Sequence, residues 1–351
     1  SVSEPASEQK PQQEPAPAQE DLARQRRYST REERRDQGPR HKISDWLTVS
    51  GVFEIESAQQ RFDSFDTSSR SHMSETGRTI EAVFLFTPLP WLKGELVYEY
   101  DFKISRDNLD EAIIAFETAG FEVELGRLYA PFGEYFSHFA SGPLLDFGET
   151  RRPGAIVSYR PSEQLDLSVF ALKSRAARTG SRGSAVDWGL ALEASPFEFG
   201  TFGLSYLSDL AESDKRLLAD SDDRYEKRVD GLSAYASVGH EQFEFTAELV
   251  QALGSFRELE SDRNKPRAWN AELAFFPSDN LSLAIRLEGS RELEDAPDRQ
   301  AGVALTWQLL DKVFLTAEAL RGTFKRGLAE DARGREIETV TQIGGQISVD
   351  L

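Results

Sequence analysis

The residues of this chain best equipped to act on another species are carboxylates that recur at every second position. In Gly94–Phe102, GELVYEYDF, Glu95, Glu99 and Asp101 share one parity, while Leu96, Tyr98, Tyr100 and Phe102 share the other. Side chains alternate between the two faces of a strand, so such a segment has one acidic face and one apolar face. A row of carboxylates attracts cations and keeps a surface wet; it brings no nucleophile. Cysteine is absent, which excludes disulfides, thiolate metal sites and covalent haem attachment. The four histidines, His41, His72, His138 and His240, are scattered, and no Ser/His/Asp grouping follows from spacing. The chain is therefore not read as an enzyme, and no catalytic, cofactor or metal residues are assigned.

What positions such a row is the strand, and strands of this kind return from Asp45 to the end. Sixteen segments of about ten residues, near the length a tilted strand needs to cross a bilayer, run from 45–57 and 77–87 to 337–351. Leu281, Leu283, Ile285 and Leu287 form one clear apolar parity, and Ala301, Val303, Leu305 and Trp307 another. Short turns such as PLPW (88–91), GHEQ (239–242) and PSDN (277–280) alternate with long polar loops such as 58–76, 130–152 and 209–228. That sorting by length predicts an all-β fold: a transmembrane up-and-down antiparallel β-barrel of about 16 strands. Both termini then lie on the short-turn, periplasmic side of a bacterial outer membrane of the Gram-negative type. Aromatic residues crowd at both segment ends, as two interfacial girdles require. The expected surroundings are a lipid bilayer and lipopolysaccharide.

The barrel is assigned to 43–351. Residues 1–42 carry nine Lys/Arg and eight Asp/Glu and open on a Pro, Gln, Glu and Ala tract, which predicts a disordered or short helical periplasmic tail. A signal segment would already have been removed from a chain that starts SVSEPASEQK. No run of eighteen apolar residues exists, and the net charge of −19 argues against nucleic acid as a partner.

Sixteen strands leave a lumen that side chains alone do not fill. Glu95, Glu99, Asp101, Glu122, Glu124, Glu244, Glu248 and Glu288 are expected to line it, with Arg286 among the few opposing cations. Carboxylate rings favour cations. Loop 130–152 is too apolar for an exposed loop, and its Pro and Gly residues are expected to break any regular element. It is predicted to fold inward, with Pro131, Phe132, Gly133, Glu134, Asp146, Glu149, Arg151 and Arg152 at a constriction. Loop 209–228 gathers acids and bases and reads as a solvated charged loop, since EF-hand spacing is missing.

At LGRLYAPFGEY followed by GETRR the chain resembles siderophore porins of the legiobactin-uptake type and the related phosphate-selective porins O and P. Gly126, Tyr129, Pro131, Phe132 and Gly133 carry the shared feature; Leu144 and Gly148–Arg151 look more like the siderophore group. The resemblance implies a sixteen-stranded porin and uptake of an iron chelate. The lysine rows known from phosphate-selective porins are replaced here by glutamates, and the chain ends QISVDL rather than in an aromatic residue.

Two functions follow as expectations. The first is a channel for passive passage of small hydrophilic solutes, cation-preferring, with a ferric siderophore as a candidate cargo. The second is a structural sheath around a periplasmic or cytochrome partner, such as a multihaem cytochrome in a trans-outer-membrane electron conduit.

Overall fold

A computed structural model describes residues 40–66, 70–103, 106–140, 143–175, 177–178, 186–213, 217–218 and 224–351. The tail assigned to 1–42 lies almost wholly outside the described residues. Sixteen long strands form one antiparallel sheet that closes on itself. They are β1 (Leu47–Ser64), β2 (Arg70–Leu89), β3 (Leu92–Asp101), β4 (Arg106–Thr118), β5 (Phe121–Tyr129), β6 (Arg151–Ser162), β7 (Leu165–Lys173) and β8 (Val186–Phe197). The second half comprises β9 (Gly200–Leu207), β10 (Gly231–His240), β11 (Phe243–Ala252), β12 (Arg267–Ser278), β13 (Leu281–Arg291), β14 (Arg299–Leu310), β15 (Val313–Thr323) and β16 (Ile337–Asp350). A four-residue strand, His41–Ser44, folds back on the start of β1.

Each strand pairs with its sequence neighbours, and β16 pairs with β1 from Ile337↔Ser64 to Asp350↔Val52, so the sheet has no free edge. Two-residue turns at 90–91, 119–120, 163–164, 198–199, 241–242, 279–280 and 311–312 occupy one rim, and the long loops occupy the other. At one short turn Ala119 (φ 46°) and Gly120 (φ 83°) are both left-handed, the geometry that matches the twist of a tight hairpin.

The alternation read from the sequence has a clear spatial meaning. Ile285, Leu287, Val303, Val169, Leu204 and Ile343 lie on the outside and are exposed, although all are large and apolar. Inward positions on the same strands, such as Ala284, Arg286 and Glu288, are buried. An apolar belt of this extent is covered by hydrocarbon, and a closed barrel is the one sheet architecture that satisfies every backbone group there. Stacked outer rings, Trp91 on Phe116, Phe121 on Tyr159 and Phe243 on Phe275, mark the short-turn rim. Trp188 and Tyr206, 5.3 Å apart, mark the other.

Two features depart from the sequence reading. Much of the loop expected over 58–76 is strand, because β1 and β2 continue their ladder from Ser57↔Thr76 to Asp63↔Arg70. These residues are polar because the hairpin stands in water, and polarity alone reads as loop. The second departure is a bulge. Val97 pairs with Glu111 but Tyr98 pairs with Leu109, so Asp110 is an extra residue, and both Asp110 and Glu111 are buried.

Candidate functional site

The loop between β5 and β6 enters the barrel, and its apolar residues build a core there. Phe132 and Phe147 are fully buried, packed with Leu128, Leu144, Phe170, Leu172, Leu207 and Val250. Farther along, Phe139 sits against Ala274, Ala284, Ala304 and Leu320, where three inward alanines leave room for its ring. One regular element forms despite the Pro and Gly content, the short helix α1 (Pro143–Gly148).

Two glycines make this path available. Gly126 (φ 148°) lies where a Cβ would stand 1.9 Å from the carbonyl oxygen of Ala112 on the adjoining strand. Gly133 (φ 89°) brings the chain so near β11 that a Cβ would meet the Glu248 carboxylate at 2.6 Å. Both conformations are ones that side chains other than hydrogen rarely adopt.

The loop is held chiefly by main-chain amides. The N–H groups of Glu134 and Tyr135 donate to the two oxygens of Glu248, at 2.9 and 2.7 Å. The His138 N–H donates to Glu272 (2.9 Å), and the Ala140 N–H to Glu318 (3.0 Å). Ser137 adds a hydroxyl to Glu272 at 2.5 Å. Arg286 donates to Ser137 (3.1 Å), pairs with Glu288 (2.9 Å) and Glu272 (3.5 Å), and lies 4.2 Å from the ring centre of Phe139. Hydrogen bonds to charged groups contribute about 1.5–3 kcal/mol each, so the ladder is a strong anchor.

Beside the loop the barrel encloses a cavity of about 800 Å³, the space that would serve as its passage. Glu54, Glu56, Glu95, Glu99, Glu111 and Glu124 line its wall, and Glu134 and Glu149 border it from the loop. Among the described residues, the two basic ones that line it are both engaged by acids. Arg286 is held as described; Arg160 contacts Asp166 at 2.6 Å and Glu122 at 3.1 Å.

The residues singled out from the sequence thus fall in several places. Glu95, Glu99, Glu124, Pro131, Gly133, Glu134 and Glu149 line the passage. Glu244, Glu248 and Glu288 point inward but are buried beneath the loop, and Phe132 belongs to the core. Asp101 accepts the Lys103 N–H (2.7 Å) at the long-loop end of β3, while Glu122 sits on Arg160. Arg151 and Arg152 begin β6 rather than flank the passage: Arg151 pairs with Asp110 and donates to Tyr129, and Arg152 contacts Glu212 at 3.3 Å. The side chain of Asp146 lies outside the described residues. Asp110, Ser137 and Asp187 escaped the sequence reading. Asp187, Asp209 and Glu212 come together at the root of loop 208–230, fully buried, with Arg228 2.6 Å from Asp187. With Arg152 on Glu212, they form an ion-pair network that ties this loop to the barrel.

No protein-family model matches the chain. A UPF0422 protein of Coxiella burnetii is 25% identical over 186 residues; the match spans 48% of this chain and only 39% of that relative. Solved structures share the fold at low identity. The outer membrane channel DcaP of Acinetobacter baumannii is 13% identical with a TM-score of 0.61, covering 90% of this chain and 99% of that one. An anion-selective porin from Comamonas acidovorans is 11% identical with a TM-score of 0.63, covering 87% and 100%. Salmonella typhi OmpF, solved with daunomycin, is 12% identical with a TM-score of 0.59, covering 89% and 100%.

Proposed function

We propose that this barrel is a passive channel of a Gram-negative-type outer membrane that passes small hydrophilic solutes and prefers cations. One observation carries the charge preference: the passage is lined by carboxylates on both the wall and the loop, while the two arginines that line it among the described residues are each bound by two acids. Low-dielectric walls focus the field of such a lining and concentrate counter-ions. The structural likeness to DcaP and OmpF supports the channel reading.

A ferric siderophore, the cargo that the resemblance around Gly126–Gly133 implies, would have to be neutral or cationic to suit this lining. The sheath reading fares less well. A hundred-residue domain has a radius of gyration of about 13 Å and would not enter a space of about 800 Å³ with the loop in place.

The test is single-channel recording in a planar bilayer under a potassium chloride gradient. An open channel with a cation-selective reversal potential is expected, and the double variant Glu95→Gln, Glu99→Gln should move that potential toward zero. An anion-selective potential would overturn the charge preference, and a barrel that never conducts would overturn the channel.

A further inference from the structure

The inward carboxylates divide into two sets that differ in where they lie. Glu95, Glu99, Glu134 and Glu149 face the passage. Glu248, Glu272 and Glu318 are buried, and their oxygens meet loop amides. We propose that Glu248, Glu272 and Glu318 are positioning residues that set the aperture by gripping the loop backbone, and that they contribute nothing to ion preference.

The geometry at Glu248 is the most demanding. Gly133 (φ 89°) and Tyr135 (φ 54°) are both left-handed on either side of Glu134. That turn aims the consecutive N–H groups of Glu134 and Tyr135 at one carboxylate, one to each oxygen, in the manner of a backbone nest around an anion. Ser233 adds a third donor to Oε1 at 3.2 Å. A left-handed conformation at a tyrosine is costly and persists only where its surroundings hold it. Its hydroxyl donates to the Phe132 carbonyl, which closes the turn on itself.

The remaining contacts run around the barrel wall in chain order. Glu248 is on β11, Glu272 on β12, Arg286 on β13 and Glu318 on β15, and they meet residues 134–135, 137–138, 137 and 140 in turn. Across β14, the inward Gly302 leaves space that a Cβ would take from the Phe139 ring, at 2.9 Å. The loop therefore follows a track whose recognition elements are main-chain donors and wall acceptors. The covering loop separates these carboxylates from the passage and points the positive ends of its N–H dipoles at them, so Glu95 and Glu99 are among the acids that a passing ion meets instead. Glutamine retains one acceptor oxygen and turns an NH₂ toward the second amide, so Glu248→Gln converts one of the two bonds into a donor–donor contact.

The test compares Glu248→Gln and the triple variant Glu248→Gln, Glu272→Gln, Glu318→Gln with Glu95→Gln, Glu99→Gln. Two readouts are used on the full chain. Amide hydrogen exchange in detergent is expected to show loss of protection at 134 and 135 in Glu248→Gln and at 134, 135, 138 and 140 in the triple variant, with the strands unchanged. This readout stands whether or not the barrel conducts. The second is bilayer recording, which rests on the channel reading. The latch variants are expected to lose the single conductance level while keeping the wild-type reversal potential, and the passage variants are expected to do the reverse. Protected loop amides in the triple variant would overturn the proposal. So would a shift in reversal potential as large as that of the passage variants.

Discussion

Replacing Gly126 by alanine puts a methyl group inside the Ala112 carbonyl and a side chain on a backbone at φ 148°. Strain of this kind costs on the order of 1–3 kcal/mol before the clash is relieved. Urea unfolding of the barrel in detergent should show a loss at least that large for Gly126→Ala, and much less for Gly77→Ala, where nothing lies within 4 Å of an added Cβ. A second residue-scale expectation concerns acid. Asp331, in the loop before β16, accepts from Arg335 Nε (2.9 Å) and Nη2 (2.6 Å), from the Arg333 and Arg335 amides, and from Ser71. The Arg335 guanidinium holds its carboxyl well below the usual carboxylate range. A lowered folded-state pKa means that the loop's stabilisation is complete above about pH 4. It is lost as the pH falls below that toward the folded-state value. Protection of the amides at 331–335, taken relative to the intrinsic exchange rate at each pH, should fall on acidification over that range, and Asp331→Asn should show the reduced protection already at neutral pH.

At the scale of the element, the strand is governed by which solvent each face meets. Ile285 sits on the outer face in the middle of β13, and a basic residue at such a depth costs about 2–4 kcal/mol. Ile285→Arg should lose stability by that amount when the barrel is folded into lipid vesicles and titrated with urea; Leu281→Arg, on the same face near the short-turn rim, should lose far less. The strands and their sorted connections were legible in the sequence because a period of two is a local property. Glu95 and Glu99 could be placed from their immediate neighbours. Glu248 could not: its burial is produced by Glu134 and Tyr135, more than a hundred residues away, and parity says only that it points inward. Asp110 was missed because a bulge breaks the alternation that the reading relied on. Phe132, Phe139 and Phe147 did signal that their loop is covered, but not by which strands.

For the whole molecule, the net charge of −19 and the acidic passage act together on mobile ions. Screening lengths shrink from about 10 Å at 0.1 M salt to about 3 Å at 1 M. The cation preference should therefore weaken when the same twofold gradient is imposed at the higher concentration, and a preference that does not depend on salt would point to steric sieving instead. The pairing of β16 with β1 has a different kind of consequence. Partners such as Val52 and Asp350 are separated by nearly the entire described chain, so the cylinder cannot be sealed until its final segment exists. Contacts of that sequence separation form slowly. Throughout the wait, leucine-rich strands with unfilled hydrogen-bond positions face water, and they invite pairing with other copies. Sealing the seam is what removes these strands from water and from other copies, so the yield of closed barrel on refolding should fall as the protein concentration rises.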